Sequence, residues 1–121
     1  MGELDEAIDA VASQLGRLDV GAGTPVAIQL PNVIELPITL LACARLGAVA
    51  VPFPIQHRSH ELRSGLPTAQ VRAVVTGERP DRPDQVTDVA DVIVELASTG
   101  AAAIGLAAFG PTSQPGVDLS R

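Results

Sequence analysis

The 121-residue chain contains no lysine, no tryptophan and no tyrosine, and has a single cysteine, Cys43. Each absence excludes something. Without an ammonium side chain, a Walker-type phosphate loop is ruled out. With one cysteine there is no internal disulfide, and nothing points to an oxidising compartment. Phe53 and Phe109 are the only aromatics, so the core must be packed from Val, Ile, Leu and Ala, whose branched members favour buried parallel strands. Positive charge is scarce. Eight arginines face fourteen acids, for a net charge of −6, which argues against nucleic acid or an anionic membrane as the main partner. Long apolar runs are missing too. Residues 33–46 are the longest, broken by Glu35, Pro37 and Arg45 and too short to span a bilayer. The acidic N-terminus (Glu3, Asp5, Glu6, Asp9) lacks the positive charge of a signal peptide. No membrane span and a cytoplasmic location are expected.

What is present is core material. The chain is 46% hydrophobic and 18% charged with a mean hydropathy of +0.30, enough for one domain or a part of one. Leu4, Ile8, Val11 and Leu15 at helical spacing predict a helix over 3–16. After Gly21-Ala-Gly23, an apolar run at 25–30 predicts a strand. Asn32 and Glu35, at capping-box spacing, predict a second helix over 33–46 that loses a hydrogen bond at Pro37 and stops at Gly47. Further strands are predicted at 48–53, 71–76 and 102–109, with helices at 59–66, capped by Ser59, and at 84–98, stopped by Gly100. The first three strand starts lie 23 residues apart, a rhythm of strand–helix–strand units with right-handed crossovers. The expected fold is α/β: three layers, a mostly parallel sheet and flanking helices.

Ligands of such sheets sit beyond the carboxyl ends of the strands. Asn32, at the first of these ends, reads better as a helix cap than as a ligand group. Arg58, with His57 and His60, is placed to meet an anion or to lie in a solvated turn. His57, His60 and Glu61 hint at a metal, but no other His and no usable Cys completes a set, so none is expected. Arg79 and Arg82 flank Asp81 in a Pro-rich loop, as a charged turn or a phosphate contact. Cys43, inside a helix, reads as an inert buried thiol. Gly21-x-Gly23 precedes a strand where a dinucleotide fingerprint follows one, Ser98-Thr99-Gly100 ends a helix, and no Gly-x-Ser-x-Gly elbow exists. From chemistry alone the chain is a lysine-free α/β domain without an active site.

Val26-Ala-Ile-Gln-Leu-Pro-Asn32, then Glu35-Leu36, then Leu41-Ala-Cys-Ala-Arg-Leu-Gly-Ala-Val-Ala-Val-Pro52 together resemble the start of the AMP-binding, adenylate-forming superfamily. That family includes acyl- and aryl-CoA synthetases, luciferases and peptide-synthetase adenylation domains. The resemblance runs from about Glu3 to Gly77. It extends through Pro54-Ile-Gln-His-Arg-Ser-His-Glu-Leu62 and the strand at 71–76. Thr24 departs from it, standing where the family usually has an acid. The resemblance implies that residues 1–110 are part of the N-terminal α/β subdomain of an acid–CoA ligase. Residues 111–121 would be a linker toward a missing nucleotide-binding region, and the remainder of the ligase would be the partner. It implies ATP, Mg and CoA for the parent enzyme and no cofactor in this piece. The parent reaction joins a carboxylate and ATP into an acyl-adenylate, then forms the CoA thioester. This piece would be scaffold, inactive alone, with self-association expected through exposed apolar surface. By the same resemblance, His57 and Arg58 border the CoA path, and Arg79 or Arg82 meets CoA phosphate. Two alternatives stay open: a freestanding non-catalytic α/β binding module, or part of an acyl- or aryl-AMP ligase that loads a carrier protein.

Overall fold

The computed structural model describes residues 2–31, 34–78 and 82–109, together with the backbone of 119–120. The predicted opening helix is α1, Gly2–Arg17. Its Ile8, Val11 and Leu15 are buried, acids occupy the first turn and Arg17 the last, as the helix dipole favours. The strands are β1 (Pro25–Ile28), β2 (Val49–Pro52), β3 (Ala73–Gly77), β4 (Gly105–Phe109) and β5 (Leu119–Ser120). Between them run α2 (Glu35–Leu46), α3 (Ser59–Ala69) and α4 (Gln85–Ser98).

The strands form one sheet in the order β2-β1-β3-β4-β5. The first four are parallel. β5 is antiparallel to β4, with Phe109 opposite Leu119, so the stretch expected as a linker, 111–121, contributes a short strand. Period-two alternation divides the core. Val26, Ile28 and Val75 face α1 and α2, while Ala27 and Val74 face α3 and α4 with Leu62, Leu66, Val89 and Val92. The result is helix layer, sheet, helix layer. Exposed ion pairs, Arg45 with Asp9 on one side and Arg63 with Glu95 at 2.8 Å on the other, tie the helices of each layer.

Several helix ends differ from expectation. α2 begins at Glu35, with Ile34 at the N-cap position and no side-chain cap; Asn32 lies outside the described residues. Starting there, the helix carries Pro37 in its first turn, where the missing N–H has no intrahelical partner to lose. The hydrogen bond expected to be lost is never at stake. α2 stops as predicted at Gly47, φ 73°. The Gly47 N–H meets Ala44 O and the Ala48 N–H meets Cys43 O, a Schellman closure. Asp19 (φ 67°) and Gln70 (φ 56°) hold the same left-handed conformation after α1 and α3. Neither is a glycine, and the sequence gives no such sign of them.

β2 is an edge strand, and Val49 on it is 50% exposed. Ile34, Leu40 and Leu41 add exposed apolar surface on and beside α2. Among the described residues, no helix is long and apolar enough to cross a membrane.

Candidate functional site at the carboxyl edge of the sheet

The chain leaves β1 toward β2 on one side and returns to β3 on the other. This makes the carboxyl ends of β1 and β3 a topological switch point, where open α/β sheets open a crevice. Polar side chains concentrate there. Gln29, just past β1, is 1% exposed, and Thr76 and Gln85 are fully buried. The Gln85 Nε2 donates to Gln29 O at 3.2 Å and to Thr76 Oγ1 at 3.0 Å. The Thr76 hydroxyl also meets Gln29 O at 3.3 Å. The Gln29 N–H continues the ladder to Val75 O at 2.9 Å. The network thus joins β1, β3 and the first residue of α4.

From this base the Gln29 amide reaches the loop between β2 and α3. Its Nε2 donates to Pro54 O and to His57 O, both at 3.0 Å. Arg82, just before α4, donates through Nη1 to Ile55 O at 2.8 Å, and its Nη2 lies 3.4 Å from Asp88 Oδ2. Burial strengthens such charge-assisted bonds. Three carbonyls of one short loop are therefore held by side chains from distant parts of the chain.

The predicted site residues separate on this frame. His57 is half-buried, its Nδ1 enclosed without a hydrogen-bond partner, and its ring meets Phe53 edge-on at 6.3 Å. Arg58 is exposed at the N-cap of α3. Arg82 has only 11% of its side chain exposed and is engaged by Ile55 and Asp88. Arg79 lies outside the described residues. The structure brings His57, Arg58 and Arg82 to one edge, and it adds Gln29, Thr76 and Gln85, which no sequence motif marks. The one available signal for Gln29 was a lone amide closing an otherwise apolar strand run.

Ser59 is not the cap of α3. It is the first helical residue, and the Glu61 carboxylate reaches back to accept the Arg58 N–H at 2.8 Å. That bond, then Glu61's own N–H, and after these the nearby His57 and His60, hold the Glu61 carboxyl below its ordinary 4.5. A depressed carboxyl pKa stabilises the fold above the unfolded value and ceases to do so as pH falls through the folded one. Glu61→Gln is accordingly expected to lower Tm near neutrality, with the wild-type advantage fading as pH falls below the ordinary 4.5. Thermal melts from pH 7 to pH 3 test this, and an advantage that grows on acidification contradicts it.

Cys43 is buried in α2, and burial pushes its thiol up, the reverse of what a nucleophile needs. Among the described residues, no three His, Cys, Asp or Glu side chains group as a metal set. A depression of about 410 Å³ opens at the opposite, amino edge, between the ends of α3 and α4, lined by Leu66, Pro67, Gln70 and Ala101 among others. Arg72 also lines it, but it holds none of the buried, mutually bonded side chains Gln29, Thr76 and Gln85 of the carboxyl edge. The convergent polar groups are at the carboxyl edge, which is therefore the candidate site.

With this geometry in hand, similarity to known proteins is specific. The model of the family described as AMP-binding enzyme matches residues 1–113. An acetyl-coenzyme A synthetase of Methanothrix thermoacetophila is 37% identical over 76 residues, covering 63% of this chain and 12% of that protein. A propionate–CoA ligase of Escherichia coli is 47% identical over 47 residues, 39% of this chain and 8% of that protein. The chain thus spans about an eighth or less of the length of these relatives. The ATP-bound MatB of Rhodopseudomonas palustris superposes with a TM-score of 0.67 at 25% identity, over 92% of this chain and 20% of that one. The N-terminal domain of FACL13 from Mycobacterium tuberculosis shares the fold, with a TM-score of 0.66 at 23% identity, over 93% of this chain and 29% of that one.

Proposed function

Because this chain belongs to the AMP-binding enzyme family, we propose that it is the opening scaffold of an ATP-dependent acid–CoA ligase and is inactive by itself. The observation that carries the proposal is the family match over residues 1–113, joined to a span of 12% in the Methanothrix acetyl-coenzyme A synthetase. Activation of a carboxylic acid by ATP brings two anions together and needs cationic charge at the reacting phosphate. The 121 residues hold no lysine, so in this reading the ammonium, the nucleotide loop and the acid pocket come from the remainder of a longer ligase. Residues 1–110 form the scaffold, 111–121 lead toward that remainder, and the work takes place in the cytoplasm.

The donors at the carboxyl edge suit a phosphate-bearing ligand, and in this reading that ligand is CoA. Arg58 offers an exposed guanidinium at the start of α3, a fit for a phosphate or pyrophosphate group. His57 and the loop 54–58 would border the pantetheine arm. The family resemblance points Arg79 or Arg82 toward the CoA phosphate on the same path. When bound, CoA supplies the thiol that takes the acyl group.

The open edge of β2 and the exposed Ile34, Leu40 and Leu41 support a face that packs against the rest of the ligase. Self-association of the isolated 121-residue chain on size-exclusion chromatography is the expected consequence. The deciding assay offers ATP, Mg and a short carboxylic acid to the purified chain and to the ligase that contains it. Pyrophosphate is expected only from the ligase. Its release by the 121-residue chain rejects the proposal.

A further inference from the structure

Helix α2 buries one stripe. Glu35, Ile38, Thr39, Ala42 and Cys43 are its buried residues, at the helical spacing that lays them along one face against the sheet. A carboxylate therefore heads a stripe made otherwise of apolar side chains and one hydroxyl. The hydroxyl is satisfied, because Thr39 Oγ1 donates to Glu35 O at 2.8 Å. The carboxylate is not. Glu35 is 3% exposed, and its Oε1 is enclosed without a hydrogen-bond partner. The positive end of the α2 dipole offsets part of the cost of burying this charge. Offsetting the rest takes a cation or several donors.

Among the described residues, no cation meets it. Arg17 bonds Gln14, Arg45 pairs with Asp9, Arg63 with Glu95, and Arg82 holds Ile55 and Asp88. Arg58 heads α3, and Arg72 lines the depression at the amino edge. The chain has no lysine. Because α2 joins the parallel strands β1 and β2, its first turn lies at the carboxyl edge, on the face of the sheet opposite α3 and α4. Ile34, next in sequence to Glu35, is 41% exposed. Apolar area beside an unmatched charge suits a surface that a partner covers, with the apolar part supplying burial and the charge supplying register.

We propose that Glu35 receives a lysine or arginine side chain from the remainder of the ligase, in a buried ion pair formed where that remainder covers the start of α2. This rests on the ligase reading above. Charge complementarity favours that source, since a chain of net charge −6 is matched by a basic surface. A lone buried charge destabilises the unit that holds it, whereas one paired across a boundary fixes how two units dock. Glu35 thus weakens this chain alone and strengthens the assembly.

The test makes one substitution in two settings, the 121-residue chain and the full-length ligase that carries it. Glu35→Gln keeps the shape and removes the charge. In the 121-residue chain it is expected to raise Tm by about 3 °C or more, because an unmatched buried charge is gone. In the ligase it is expected to lower the Tm of the unit holding residues 1–110, because the partner's cation is left buried without a counterpart. Glu35→Leu, which continues the apolar stripe, widens the difference in both directions. The reversal of sign is the signature, since a role confined to this chain moves both proteins the same way. An unmoved or lower Tm in the 121-residue chain overturns the proposal. So does a higher or unmoved Tm in the ligase. A ligase that tolerates Gln but not Leu meets Glu35 with neutral donors, which overturns the cation. Acid-dependent ATP–pyrophosphate exchange by the wild-type ligase is read separately. Its absence rejects the ligase reading and leaves the two Tm shifts to decide the role of Glu35.

Discussion

Leu66→Ala is expected to lower the unfolding free energy by about 2–5 kcal/mol, the range for deleting a fully buried leucine side chain whose surroundings relax only in part. Leu66 has no exposed surface and lies in the cluster between the sheet and α3 and α4, against Leu62, Val74 and Val89. Leu15, equally buried, occupies the corresponding place on the other face, among α1, α2 and Val26, and Leu15→Ala should cost a similar amount. The two belong to separate clusters with the sheet between them. Their effects should add to within about 0.5 kcal/mol. Domains of this size hold only about 5–15 kcal/mol in all, so the double variant is expected to be largely unfolded. Equilibrium urea unfolding of the two single variants, and of wild type in parallel, measures this. A loss below about 1 kcal/mol at either site would mean that the core is looser than the burial implies.

The second large effect concerns a polar group. Gln85→Met keeps the volume but removes the donor that meets Gln29 O and Thr76 Oγ1. The expected loss is about 1–3 kcal/mol, because a buried acceptor loses a partner with no water to replace it. Thr76→Val removes the other bond to Gln29 O. Since both donors serve the same carbonyl, the pair should be non-additive, with a coupling of about 0.5 kcal/mol or more in a double-mutant cycle. Additive losses would show that the three residues do not act as one network. The variants also separate the base of the carboxyl edge from the loop above it. Gln85 touches β1 and β3 through Gln29 and Thr76, whereas Gln29 and Arg82 reach the β2–α3 loop.

Local chemistry made much of the fold legible. Helices α1, α2 and α4 and strands β1 to β4 fall within a few residues of the positions predicted from apolar spacing and from the stops at Gly47 and Gly100. Ends of elements that carry no glycine or serine signal were not legible. Asp19 and Gln70 adopt left-handed turns without glycine, a conformation that costs a side-chain-bearing residue but returns N–H groups to the last helical carbonyls, Val20 to Leu15 O and Gln70 to Pro67 O. The cap of α3 came from Glu61, not from Ser59, because Ser59 had already entered the helix. β5 was invisible in a run of turn residues, since two residues become a strand only when β4 offers an unpaired edge.

The sequence by itself determined the class and the family. A 23-residue step between the strand starts expected at 25, 48 and 71, branched apolar runs and the Val26–Pro52 stretch are all properties of neighbouring residues, which period and order reveal. Tertiary structure decided the site. Gln29, Thr76 and Gln85 meet across as many as 56 positions, and Arg82 turns from a free surface cation into a clamp on Ile55 only because α4 starts beside the β2–α3 loop. Hydrogen bonds between residues so far apart depend on which strands become neighbours, and no local pattern records that.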